Sequence, residues 1–157
     1  PQSSFIFSLI FALVLVASVS FLYFSVRVLV SDNNFANAKE ESKTTQNVDN
    51  LIQYLENSVD QAPWNAIYHI ALAEQYIYAS TLDSNEAVAA QLLGSAKLGA
   101  DQAIEIAPKS AMVVEQSAEI YRLVNNLNGP ASVSEIFDTY KNAVELDPNN
   151  AYLLYSI

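Results

Sequence analysis

Residue types that could do chemistry are scarce in this chain. His69 is the only histidine and there is no cysteine. Thiolate nucleophiles, disulfides and zinc–thiolate sites are therefore excluded within it, and any nucleophile–base pair would depend on one imidazole. His69 stands between Tyr68 and Ile70, where a lone histidine is expected to pack or to sit at the surface. Carboxylates are plentiful, 17 against seven basic residues, but no group of them has the spacing of cation ligands. Glu40 and Glu41 are adjacent and diverge on a helix, so they cannot act as an acid/base pair. Glycine-rich phosphate loops, nucleophile elbows and N-glycosylation sequons are missing from the sequence. The expectation is no catalytic residue, no cofactor, no metal and no small-molecule substrate in this chain. If it belongs to an enzyme, the catalytic core lies elsewhere.

What the chain has instead is a strongly divided architecture. Phe5 to Val26 is an uninterrupted run of 22 uncharged, mostly apolar positions. At about 1.5 Å per residue such a helix spans the roughly 30 Å hydrocarbon core of a bilayer. A cleaved signal peptide would begin with basic residues and carry a shorter apolar stretch. Here no Lys or Arg precedes Phe5, and Val28-Leu29-Val30 continues the run beyond Arg27, whose long side chain can snorkel to the headgroups. A pilin-type assembly helix would carry an acidic residue near its start and a strand-rich head, neither of which is present. Residues 1–31 are therefore read as a transmembrane helix, with membrane contact through residues 5–30. The chain opens on Pro1, which points to processing or to further spans upstream.

All 17 acidic residues follow the span, and such a surface is repelled by nucleic-acid phosphates and anionic headgroups, which argues against nucleic acid as a partner. Residues 32–47, rich in Asn, Lys, Glu, Ser and Thr with no apolar stripe after Phe35, read as a polar tether or a solvated extension of the membrane helix. The remainder, 48–157, is rich in Ala, Leu, Glu and Gln with only three glycines in the whole chain, which favours helices.

That remainder repeats itself. Ala62-Pro63-Trp64-Asn65, Ala107-Pro108-Lys109-Ser110 and Asp147-Pro148-Asn149-Asn150 each end one helix at a proline and offer an Asn or Ser to cap the next. Five residues before each proline stands a small residue, Ser58, Ala103 or Ala143. Thirteen after the first two stand Tyr76 and Tyr121, with Ala73 and Ala118 one turn earlier. A small residue beside a large ring lets antiparallel helices approach closely. This pattern resembles tetratricopeptide repeats. The resemblance assigns Leu72, Ala73 and Tyr76, then Ala118 and Tyr121, to helix A of two repeats. Leu51, Leu55, Ser58 and Pro63; Ala96, Ala100, Ala103 and Pro108; and Ile136, Tyr140, Ala143 and Pro148 fall in helix B. It implies an all-α fold: one transmembrane helix followed by a helix-turn-helix solenoid of about 2.5 to 3 repeats.

The prolines are 45 and 40 residues apart against roughly 34 in the family, so residues are inserted near 79–86 and 125–132. Residues 85–107 read as one long helix that tolerates Gly94 and Gly99. Leu127-Asn128-Gly129-Pro130 is turn chemistry, and Ser132 with Glu135 forms a capping box. Ser117, polar where Leu is usual, weakens that repeat or makes an inward polar contact. Trp64 is expected to cover the top of the first helix pair. Tyr152 to Ile157 begins a further helix A that lacks a polar cap, pointing to continuation or to a covering partner.

Binding is the function this architecture implies. On the resemblance, the concave groove would be lined by Ile67, Ile70, Glu74 and Ile77 from one repeat and Met112, Glu115, Glu119 and Arg122 from the next. Relatives that clamp a terminal carboxylate use Lys and Asn there, so Glu74 and Glu119 imply a protein partner with an apolar or basic segment. The apolar helix, the Ala-Pro-Trp-Asn start and Ala-Val-Glu-Leu-Asp-Pro-Asn-Asn together also resemble the C-terminal part of bacterial O-antigen ligase or polymerase-like membrane proteins. That resemblance would put the repeats outside the cytoplasm, whereas Arg27, Lys39 and Lys43 after the span would put them inside.

Overall fold

The computed structural model describes residues 2–44 and 47–150. They form six helices: α1 (Gln2–Thr44), α2 (Val48–Gln61), α3 (Ala66–Leu82), α4 (Glu86–Ile106), α5 (Ala111–Asn126) and α6 (Val133–Leu146). No strand occurs among the described residues. The segment Tyr152 to Ile157, read above as a further helix A, lies outside them.

The helix boundaries follow from the capping residues. The side chains of Asn47, Asn65, Asn85, Ser110 and Ser132 each accept a backbone N–H from the first turn that follows, satisfying donors that have no partner within the helix. Ser132 and Glu135 form the anticipated reciprocal box. At the three proline corners, Ala62, Ala107 and Asp147 leave the helical region at φ −135°, −131° and −137°. The proline ring that follows each one disfavours the helical conformation there. Their N–H groups bond to the carbonyls of Ser58, Ala103 and Ala143, and Asn65, Ser110 and Asn150 donate to Ala62, Ala107 and Asp147 in turn. One corner is thus built three times. The α5–α6 corner is different: Asn128 takes a left-handed φ of 61°, its N–H donates to Asn125 O, and Gly129 N–H donates to Val124 O at 2.8 Å. This is the paired-bond helix stop that a residue tolerant of positive φ permits.

Consecutive helices pack pairwise, α1 on α2, α3 on α4 and α5 on α6, and α3 also touches α5. The helices therefore form three pairs, with α3 and α5 stacked as successive A helices. The small residues sit where the helices meet: Ser58, Ala73, Ala96, Ala100, Ala103, Ala118 and Ala143 expose no surface. A Cβ placed on Gly99 would come 3.1 Å from both Ala73 Cβ and His69 O, so α3 and α4 approach more closely than a side chain at that position permits. Nothing lies within 4 Å of a Cβ on Gly94. Ser117 makes the inward polar contact, its hydroxyl donating to Ala100 O on α4 at 3.3 Å.

Polar contacts pin successive helices together. Tyr76 Oη donates to Glu56 at 2.7 Å, Tyr121 Oη to Asp101 and Tyr140 Oη to Glu119 at 2.7 Å. Burial, reinforced by these carboxylates, pushes all three phenols above their ordinary range. Lys97 joins α4 to α6 through Glu135 at 3.1 Å while pairing with Asp101 at 3.2 Å.

α1 departs from the sequence reading at one point. Residues 32–44 continue the helix without a break, and they are neither a separate tether nor wholly solvated. Ser31 and Ala38 are buried, and Phe35 and Ala38 pack with Leu51 and Leu55. The C-terminal part of α1 thus takes the place of helix A in the first repeat. Its first part is bare: the apolar window is long and apolar enough to cross a membrane by length and composition, and no other element buries it.

Candidate partner-binding groove

The eight residues assigned above to the groove divide three ways. Ile70 and Ile77 are buried in the main core with Leu93, Ala96 and Val113, and Ile67 packs against that cluster. They are core residues because α3 touches α2, α4 and α5 and has little free surface. Glu74 and Met112 are exposed and Glu115 is half-buried. Arg122 is exposed and Glu119 half-buried, and they bind each other: Arg122 Nε donates to Glu119 at 2.8 Å.

Glu119 is therefore already partnered within the fold, by Arg122 and Tyr140. Arg122, and then Tyr140, hold the Glu119 carboxyl below the usual carboxylate range although partial burial opposes the shift. Its charge is spent on α5 and α6. Glu74 is shifted the other way, upward, by loss of solvation alone. Its surface is solvent-exposed, and the protein around it removes part of its solvation.

A hollow lies between α1, α2 and α3. Phe35, Ala38, Lys39 and Ser42 of α1, Leu51 and Leu55 of α2, and Ala71 and Gln75 of α3 enclose a space of about 130 Å³. A second hollow of about 140 Å³ shares Ser42, Leu51 and Gln75 and continues to Val48 and Tyr78. Together they form one trough with an apolar floor and polar groups at Lys39, Ser42 and Gln75. The α1 half of this trough was missed because Phe35 is the one large apolar residue in its stripe. Ser31, Phe35 and Ala38 recur at helical spacing, and that was the available signal.

His69 is buried, with Nε2 3.0 Å from Pro63 O. Among the described residues no group of three or more His, Cys, Asp or Glu could hold a metal.

This stack is similar to the first TPR of Spaghetti (RPAP3) bound to HSP90 peptide SRMEEVD, with a TM-score of 0.60 over 82% of this chain and 89% of that one, at 13% identity. At that identity the likeness defines the fold class, a tetratricopeptide-like helical repeat. No protein-family profile matches the chain, and no curated protein matches it in sequence.

Proposed function

We propose that this chain is a membrane-anchored repeat scaffold that holds an apolar or basic protein segment in the trough between α1, α2 and α3. The observation that carries the reading is the trough itself, with Phe35, Ala38, Leu51, Leu55 and Ala71 offering apolar surface in a continuous cleft. The similar Spaghetti domain is bound to a peptide, which supports a protein ligand. The peptide chemistry should differ. SRMEEVD carries three acidic residues, whereas this chain has a net charge of −10 and exposes Glu74 on α3. An acidic end would meet repulsion and a basic or neutral one would not. Anchoring through α1 is supported by the bare apolar window.

The test is recovery of a partner from native membranes by wild-type chain, Ala71→Glu and Leu98→Glu. Ala71 lines the trough and Leu98 is exposed on α4. A charge in the trough should abolish recovery and a charge at Leu98 should leave it intact. Equal recovery by all three sinks the assignment. Glu74→Lys should weaken a basic partner by about 0.5 to 2 kcal/mol in a salt-dependent way.

A second reading makes the chain the repeat tail of a multi-span, glycan-transferring membrane protein of the O-antigen ligase type, with the repeats outside the cytoplasm. It is supported by the sequence combination already described, and by the exposed apolar surface of α1, which neighbouring spans could cover. Reading the native gene upstream of Pro1 separates the two: many further spans favour the transferase, and a short start favours the scaffold.

A further inference from the structure

Where the bare part of α1 becomes the packed part, four side chains meet. Phe24 and Trp64 stand edge to face with ring centroids 6.0 Å apart. The Arg27 guanidinium lies 5.7 Å from both the Tyr23 and the Trp64 ring centroids and donates to Asp60 O at the end of α2. Trp64 projects from the α2–α3 corner against α1 and remains 45% exposed.

The position of this cluster along α1 is what gives it meaning. Toward the C-terminus one face of the next turn closes against α2, with Ser31 buried and Ser58 Oγ donating to Ser31 O at 3.1 Å, while Val28, Leu29 and Val30 on the other faces stay exposed. Toward the N-terminus every residue from Phe7 to Phe24 is exposed. From Phe5 to Tyr23 the helix runs about 28 Å, close to the roughly 30 Å thickness of a hydrocarbon core. The cluster therefore lies near the C-terminal end of the exposed apolar stretch, about one bilayer thickness from Phe5. Tyr and Trp are the side chains that prefer that depth, because a ring buries its apolar body while its polar tip stays wet, and Arg can reach the phosphates from there.

We propose that Trp64, with Tyr23 and Arg27, forms an interfacial collar that seats the first repeat on the lipid headgroup layer. The partner is the bilayer surface, entered by a residue of the repeat domain itself, so that the domain is held at a fixed attitude and does not swing from the span. Aromatic insertion must do this work, since the acidic repeats are not drawn to anionic lipid. The inference rests on the membrane reading of α1 given above.

Trp64 is the only tryptophan, so its fluorescence reports this position alone. The full chain is reconstituted into phosphatidylcholine vesicles whose acyl chains carry bromine either near the headgroup or near the chain end. Flotation shows whether the chain is inserted. Strong quenching by the shallow bromines and weaker quenching by the deep ones is expected. A chain that floats with its vesicles while Trp64 is unquenched by either lipid overturns the collar and leaves the anchor standing. A chain that does not float overturns both. A Trp64→Phe, Leu82→Trp chain, with the reporter at the opposite end of α3, should be unquenched. Quenching equal to that of Trp64 would mean that the domain lies flat on the bilayer, and would also overturn the collar.

Discussion

The α3–α4 seam and the α1–α2 seam have the same architecture and different chemistry. The first is closed by small apolar residues, Ala73, Ala96, Ala100 and Ala103, with Gly99 letting the backbones nearly touch. The second has a smaller apolar cluster of Ala38, Leu51 and Leu55. It is completed by hydrogen bonds, Ser58 to Ser31 O and Arg27 to Asp60 O, and Tyr68 of α3 adds a bond to Asp32 of α1 beside it. Close packing forfeits energy steeply when helices separate. Hydrogen bonds exchanged with water are worth only about 0.5 to 1.5 kcal/mol each. The seam that joins the repeats to α1 is thus the one that opens at lower cost, and the seam inside the stack is the rigid one.

Substitutions can test that contrast. Ala73→Leu should be the most damaging, lowering stability by about 1 to 3 kcal/mol or more through overpacking against Gly99. Loss of the cooperative transition in thermal or urea denaturation, followed by circular dichroism, measures it. Leu55→Ala should cost about 2 kcal/mol at the lower end of core truncations, because its cluster is small. In hydrogen exchange it should loosen residues 31–44 while leaving α4 and α5 protected. If α4 and α5 loosen equally, the two seams are one cooperative unit and the contrast fails. Ser58→Ala removes a bond across the first seam and should cost about 1 kcal/mol, with the same local pattern of exchange.

The smallest effects are electrostatic, and their signs are opposite. Glu119 titrates lower in the fold than when unfolded, through Arg122 first and Tyr140 next. It contributes stability that is present above the unfolded pKa and lost as pH falls through the folded one. The pair is substantially exposed, so Glu119→Gln should cost about 0.2 to 1 kcal/mol at neutral pH and nothing in acid. Glu74 titrates higher in the fold because it is desolvated. Its contribution is largest below the unfolded pKa and falls as pH rises through the folded one. Glu74→Gln should therefore give a small gain at neutral pH that disappears in acid. Denaturation curves at pH 3 and pH 7 for both variants check the signs, and a loss at neutral pH for Glu74→Gln would show that its carboxylate is not the desolvated one described.

Much of the stack was legible because corners and close contacts need particular residues. Proline with an Asn or Ser two positions later, a small residue five before it, and Ser132 with Glu135 are each demanded by backbone chemistry. The extent of α4 followed from the same signals, Asn85 capping its start and Ala107 closing its end. Residues 32–44 were not legible as packed helix, since Ser31 and Ala38 add almost nothing to hydropathy although both are buried. Ile70 and Ile77 look like groove residues until α3 is known to touch four helices. The link from Glu119 to Tyr140 depends on how the inserted α5–α6 connection folds. One pairing could have been read: Glu56 with Tyr76 and Asp101 with Tyr121 have the same separation of 20 residues.

Because α1 runs unbroken from Gln2 to Thr44, it acts as a ruler. Arg27 and Ser42 are 15 positions apart, which sets the trough about 22 Å along the helix from the collar. With the anchoring proposed above, a ligand segment belonging to another membrane protein would need about seven extended residues between its own span and the part that enters the trough. A shorter connection could not reach it, whatever its affinity in solution.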